Sequence, residues 1–263
     1  MYEERNSRDS LGNSPSAGET VFASALSEPD KWAIFLDIDG TLIDLAATPL
    51  SIFVPPTLPD DLAALSRHLG GAMALVTGRN IVLADELFAP HLFPIAGLHG
   101  AERRDASGVV DSLSVPASFE QLKRDIADEA GAWPGVVFED KGAAVGVHYR
   151  LAADRKDDVE ALMSRFAPVA PGWTLQHGKM VVELRPARAS KGKALEAFLQ
   201  EAPFKGRMPL AIGDDLTDEA MFETVNSLGG QSIRVGSAGT QTGARALISS
   251  PAALRTLIAR TAA

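Results

Sequence analysis

The stretch Trp32-Ala33-Ile34-Phe35-Leu36-Asp37-Ile38-Asp39-Gly40-Thr41-Leu42 constrains this chain more than any other. Ala33 to Leu36 is a short apolar run of the kind that forms a parallel strand covered on both faces. Asp37 follows directly, at the carboxyl end of that strand, where open α/β sheets hold their ligands. Asp39 lies two residues on, so an extended chain puts both carboxylates on one side. Gly40 lets the backbone turn where a side chain would clash. Two like charges this close repel unless a cation lies between them or one keeps a proton. A Mg²⁺ ion, which takes a few carboxylates and completes its shell with waters and phosphate oxygens, meets that need.

The chain downstream repeats the strand-then-helix pattern. Apolar residues at Leu62, Leu65 and Leu69 predict a helix over Leu58–Leu69, with Asp60 and Asp61 where the helix dipole favours them. Ala72–Val76 reads as a strand ending in Thr77-Gly78-Arg79, Asn80–Phe88 as a helix, and Pro94–Leu98 as a third strand ending in His99-Gly100. Alternation of this kind predicts a parallel, doubly wound sheet whose strand ends gather at one edge. The segment Ile43–Pro56 carries three prolines and reads as a loop.

Residues 104–185 change character. Phe119–Ala130, with Ser118 as its N-cap, and Asp154–Phe166 read as amphipathic helices. Val136–Phe138 with Ala143–Tyr149, and Trp173–Gln176 with Met180–Leu184, read as two hairpins. The sheet pattern then resumes over 186–263. Ser190 caps a helix over Lys191–Leu199. Pro209–Ile212 is a strand followed by Gly213-Asp214-Asp215-Leu216-Thr217-Asp218-Glu219, and Thr217 caps a helix to Val225. Ser232–Val235 reads as a last strand, with Gln241–Ile248 and Pro251–Ala259 as closing helices. The expected organisation is a core of 31–103 and 186–263 interrupted by an α+β cap over 104–185. Residues 1–30, rich in Ser, Glu, Asn and Gly, read as a disordered tail.

Composition narrows the function. A net charge of −9 argues against nucleic acid or an anionic membrane as partner, and the lack of cysteine excludes thiolate catalysis and Cys-zinc sites. No apolar run has the length of a membrane span and no basic, apolar leader opens the chain, so cytoplasmic location is the expectation. A monomer is the expectation as well.

Asp37-x-Asp39-Gly40-Thr41-Leu42, then Thr77 after a strand, Lys191 at a helix start and Asp214-Asp215 after a strand resemble the four motifs of the haloacid dehalogenase (HAD) superfamily in order. Gly97-Leu98-His99-Gly100-Ala101-Glu102, Lys141-Gly142 with His148-Tyr149-Arg150, and Lys179 with Glu183-Leu184-Arg185-Pro186 are similar to the trehalose-6-phosphate phosphatase family within it. The resemblance runs from Lys31 to the end. It implies a Rossmann-like HAD core with a cap, a Mg²⁺ cofactor and trehalose 6-phosphate as substrate. By it, Asp37 is the nucleophile and Asp39 the general acid and base. Thr77 and Lys191 hold the phosphoryl oxygens. Asp37, Asp39 (through its carbonyl) and Asp214 would hold the metal, with Asp215 or Asp218 orienting a water behind them. Gly40, Thr41 and His99 join Lys141, His148, Arg150, Lys179 and Glu183 as the substrate-binding set, and His177 is a further candidate. The alternatives are a phosphatase or phosphomutase for another sugar phosphate, and a non-catalytic regulatory domain of the same fold.

Overall fold

The chain is described by a computed structural model over residues 16–45 and 52–261. It begins with helix α1 (Ala17–Ser27) and continues through β1 (Trp32–Leu36), α2 (Leu58–His68), β2 (Met73–Val76), α3 (Ile81–Phe88), β3 (Ile95–Gly97), β4 (Glu102–Arg104) and β5 (Val110–Ser112). The next segment holds α4 (Ala117–Ala130), β6 (Val137–Asp140), β7 (Val145–His148), α5 (Lys156–Phe166), β8 (Trp173–Gly178) and β9 (Val181–Pro186). The chain closes with α6 (Lys191–Leu199), β10 (Met208–Gly213), α7 (Glu219–Ser227), β11 (Gln231–Val235), β12 (Ala246–Ile248) and α8 (Pro251–Ala259).

Eight strands form one sheet in the order β12-β11-β10-β1-β2-β3-β4-β5. The pairings are parallel from β12 to β3, and β4 and β5 add an antiparallel edge. From β1 the chain winds outward to β2 and β3, whereas β10 leads the opposite way to β11 and β12. The direction therefore reverses between β1 and β10, where open α/β sheets bind ligands. All five residues of β1 are buried, which is why it reads as an unbroken apolar run. Helices α1, α2, α3 and α8 form one packed layer, and α6 and α7 form another.

The inserted segment builds its own four-stranded antiparallel sheet, β6-β7-β9-β8, so the two expected hairpins join into a single surface. Val145, Val147, Val182 and Leu184 face α4 and α5 in a hydrophobic cluster separate from that of the larger sheet. The doubly wound core and its α+β insertion are as the sequence implies.

Several details differ. The expected disordered tail is a helix from Ala17 to Ser27, closed by a reciprocal Ser16–Glu19 capping box, with Phe22 and Ala25 fully buried. The first fifteen residues, and 46–51 within the expected loop, lie outside the described residues. Gln241–Ile248 contains no helix: Ala246–Ile248 is a strand, because β11 offers an unpaired edge. The core sheet also runs past residue 104 into β5. Pro116, not Ser118, is the N-cap of α4. Asp215, not Thr217, caps the turn ahead of α7. Ser190 stands at the N-cap of α6 without a side-chain bond to the helix.

Candidate active site

The ends of β1 and β10 carry Asp37 and Asp214 to the point where the winding reverses. Asp37 N–H still bonds the Ile212 carbonyl, at 2.9 Å, so the nucleophile candidate sits on the sheet ladder itself. Gly40 then turns with φ +83°, and a Cβ there would overlap the Asp214 carboxylate. Thr41, fully buried, donates its hydroxyl to Asp37 Oδ2 at 3.3 Å.

Lys191, at the first position of α6, reaches both Asp37 Oδ1 (2.8 Å) and Asp218 Oδ1 (2.7 Å) and is itself buried. The other Asp218 oxygen accepts the backbone N–H groups of Asp214 (2.9 Å) and Asp215 (3.1 Å). Asp218 is thus engaged at both oxygens and fixes the loop that presents Asp214. Asp215 instead accepts the Thr217 hydroxyl and N–H.

These carboxylates crowd one another. Burial raises the Asp37 pKa well above the ordinary value, the Asp218 charge adds to the rise, and Lys191 only partly offsets them. Burial likewise lifts Asp218 to about 6 despite Lys191, and lifts Asp214 despite Lys179. Lys191 is held well above its usual value by Asp218 and Asp37, against the effect of burial. Oxygens of Asp37, Asp214 and Asp218 lie within 4.8 Å of one another. Asp214 Oδ1 is buried without a hydrogen-bond partner among the described residues. A buried, unpartnered carboxylate oxygen in an acid-rich cluster suits a hard divalent cation such as Mg²⁺. The residues present therefore fit that ion, with the unpartnered Asp214 Oδ1 and an oxygen of Asp37 beside it as the atoms that would hold it.

Asp39 lines the same cleft, and both its oxygens accept from Arg79, each at 2.7 Å. Thr77 is fully buried, and its hydroxyl accepts Arg79 N–H at 3.1 Å, so the cleft wall at that strand end is formed by Gly78 and Arg79.

The cap roofs the cleft with one face of its sheet. The register sets Glu139, Gly146, Glu183 and Gln176 in a single row across all four strands. Glu183 is buried between Lys141, whose ammonium it accepts, and core residue His99, 2.8 Å from the other oxygen. Burial alone would raise the Glu183 pKa, but Lys141 and His99 overcome it and hold the carboxyl far below its usual range. Burial lowers His99 more than Glu183 raises it, so the imidazole is neutral at pH 7 and donates Nε2–H to the carboxylate. His148 pairs with Glu139 at 2.7 Å, and Arg150 donates to the Lys179 carbonyl at 3.0 Å.

Asp37, Asp39, His99, Lys141, His148, Arg150, Lys179, Glu183, Lys191, Asp214 and Asp215 all line one cleft. Gly40, Thr41, Thr77 and Asp218 lie just behind that lining. The Lys179 ammonium, in the cleft lining, meets Asp214 Oδ2 at 2.7 Å and bridges cap to core. His177 is exposed, 3.8 Å from Glu160. Sequence reasoning gave no role to Arg79 or Glu139. Arg79 follows Thr77-Gly78 directly at a strand end, and Glu139 shares a face of β6 with Val137, opposite Phe138. Either pattern carries the signal.

A family model described as trehalose-phosphatase matches residues 35–250. The chain is 57% identical to a probable trehalose-phosphate phosphatase of Sinorhizobium fredii, with 92% of each chain covered. It is 43% identical to the trehalose-6-phosphate phosphatase of Escherichia coli K12, with 80% of each covered. Among solved structures, the C-terminal domain of the Candida albicans trehalose-6-phosphate phosphatase shares the fold. Its TM-score is 0.81 at 22% identity, covering 94% of this chain and 97% of that one. The architecture is the HAD-like core with a cap that the sequence implies. With a match spanning most of both sheets and close relatives along nearly its full length, the chain belongs to the trehalose-phosphatase family.

Proposed function

We propose that this enzyme hydrolyses trehalose 6-phosphate to trehalose and phosphate, with Mg²⁺ bound and through an aspartyl-phosphate on Asp37. The observation that carries the reading is the convergence of Asp37, Lys191 and Asp214 at the β1/β10 switch point, directly under a cap face lined with polar side chains.

An Asp37 oxygen attacks phosphorus, and the bond to the sugar's C6 oxygen breaks with its electron pair. Asp39, as the carboxylic acid, gives that oxygen its proton. Arg79 stabilises the carboxylate that Asp39 then becomes. In the second half a water gives a proton to Asp39 and attacks phosphorus, and phosphate leaves Asp37 free again. The Lys191 ammonium and the Thr77 hydroxyl, whose proton is not used in its bond to Arg79, hold the phosphoryl oxygens as charge spreads over them. Asp37, Asp214 and the Asp39 carbonyl would hold Mg²⁺, which neutralises the clustered carboxylates and the phosphate charge. Asp218 and Asp215 keep the Asp214 loop in place.

The sugar is read from above. Lys141, His148, Lys179 and Glu183 offer charged donors and acceptors to a ligand rich in hydroxyls, and such a site rejects ligands that leave those groups unpaired. The cap also excludes water from the reacting atoms. The test is phosphate release from trehalose 6-phosphate, glucose 6-phosphate, sucrose 6-phosphate and mannose 6-phosphate. The reading expects the first to exceed the others by ~10²-fold or more in kcat/KM, with Asp37→Asn inactive on all of them. Equal rates across the panel would remove the substrate assignment, and an active Asp37→Asn would remove the mechanism.

A further inference from the structure

Lys123 is a buried lysine that touches neither the cleft nor the reacting groups. It lies on α4 with 6% of its side chain exposed. Lysine is rarely buried unless its charge is answered, and here every bond it makes outside its own helix leads to one short turn. Its ammonium meets Asp140 Oδ1 at 3.0 Å and the Gly142 carbonyl at 3.2 Å, with Glu120 of its own helix at 2.9 Å. Asp140 and Gly142 are the two residues that flank Lys141. Asp140 Oδ1 also accepts Gly142 N–H at 2.8 Å, and Gly142 has φ +80°, so ammonium, carboxylate and amide lock the tip of the β6–β7 turn.

The same helix grips the turn a second time. Phe119, one turn before Lys123, stacks on Trp173 with centroids 4.4 Å apart. The Trp173 indole N–H then donates to the Ala143 carbonyl at 2.7 Å. Lys141 N–H closes the turn on the Ala144 carbonyl at 3.0 Å. The turn is thus held by its backbone from the side away from the cleft, and the one long side chain it sends into the cleft is Lys141.

The charges are unequal in a telling way. The Lys123 side chain is buried, but Glu120 and Asp140 remain 44% and 48% exposed. Loss of the ammonium would leave both carboxylates free to hydrate, so the fold has little need of it. What the ammonium fixes is where Lys141 stands.

We propose that Lys123 is a positioning residue for sugar recognition. Acting with Trp173 through the 140–144 turn, it sets the Lys141 ammonium beside Glu183 and so tunes affinity for the sugar rather than phosphoryl transfer. This rests on the reading of Lys141 as a sugar contact.

The test uses the full chain with Mg²⁺ and two substrates: trehalose 6-phosphate and p-nitrophenyl phosphate, which has no sugar. Lys123→Met raises KM for trehalose 6-phosphate about tenfold with kcat within about twofold, and leaves kcat/KM for the aryl phosphate within about twofold. Trp173→Phe keeps the stacking, loses the N–H, and raises the same KM about threefold; it carries the test if Lys123→Met does not fold. The double variant Lys123→Met/Lys141→Met is no worse than Lys141→Met alone. Equal losses on both substrates, additive losses in the double variant, or an unchanged KM in folded single variants would overturn the proposal. Lys141→Met separates the two layers. If it leaves the trehalose 6-phosphate KM unchanged, the sugar-contact reading has failed; if it raises KM and Lys123→Met does not, the positioning role has failed.

Discussion

The two halves of the cleft each hold a buried ammonium between two carboxylates. In the core, Lys191 lies between Asp37 and Asp218; in the cap, Lys141 lies between Glu183 and, at 3.6 Å, Glu139. The local design is the same, yet the acids respond in opposite directions. Asp37 is pushed up and Glu183 is pulled down. Charge balance accounts for the difference. Asp37, Asp214, Asp215 and Asp218 crowd around Lys191, with Lys179 reaching over from the cap. Glu139 and Glu183 instead share Lys141, and each has a further hydrogen-bond partner in an imidazole, His148 for Glu139 and the neutral His99 for Glu183. The core crowds four carboxylates around its two ammoniums, whereas in the cap both carboxylates are answered by hydrogen bonds from Lys141 and the two imidazoles. A site that needs one more cation suits catalysis on a phosphate ester with a metal. A site that is internally satisfied suits exchange of one hydrogen-bond partner for a sugar hydroxyl.

The strongest way to break this contrast is to change the cation supply. Chelation should abolish phosphate release from both trehalose 6-phosphate and p-nitrophenyl phosphate, and Mg²⁺ should restore both. In calorimetry, saturating Mg²⁺ at about 100 times its Kd should add about 2.7 kcal/mol of stability. Asp214→Asn, which keeps the shape and relieves the crowding, should lose that Mg²⁺-dependent increment. An Asp214→Asn protein still stabilised by Mg²⁺ would mean that the acid cluster is not where the ion acts.

Next in size is the comparison of the lysines themselves. Lys191→Met leaves Asp37 and Asp218 buried without their shared cation, at a cost of about 3–5 kcal/mol of stability. It should lower turnover ~10³-fold or more on either substrate. Lys141→Met should act on trehalose 6-phosphate alone, by ~10- to 100-fold in kcat/KM. If both variants lose the two activities in the same ratio, the division between catalytic floor and recognising roof is wrong.

That division is also the line along which the sequence was readable. The core residues Asp37, Thr77, Lys191 and Asp214 follow strand ends or open helices, so an apolar run and a break locate each of them without tertiary information. Cap residues alternate on strands whose register is set by pairing. Glu139, Glu183 and Gln176 become one row only when β6, β7, β9 and β8 are aligned. The choice between Asp215 and Asp218 had no local signal, because the inward turn of Asp218 depends on Lys191 and on the backbone N–H groups it accepts. Helix α1 was missed for a related reason. Its composition is that of a tail, and what makes it a helix is Phe22 packing into the core, with α1 set against β12 and α8 from the other end of the described chain. Residues 246–248 became a strand because β11 offered an unpaired edge, a fact about the sheet rather than about those residues.

The smallest expected effect sharpens the contrast from the cap side. Glu183 has its folded pKa depressed, against burial, by Lys141 and His99. A free glutamate titrates near pH 4.3. Above that value the folded chain gains the full benefit of the ionised carboxylate. As pH falls below it toward the folded pKa, the unfolded chain takes up the proton first and the benefit drains away. Glu183→Gln removes the charge at every pH and should cost about 1.5–3 kcal/mol at pH 7. Its deficit relative to the parent should stay level above about pH 5.5 and shrink below about pH 4. Melting curves of the two proteins across pH 3.5–7 read this directly. A deficit that grew on acidification would mean that Glu183 holds a proton in the folded cap, and that the roof of the cleft is no better neutralised than its floor.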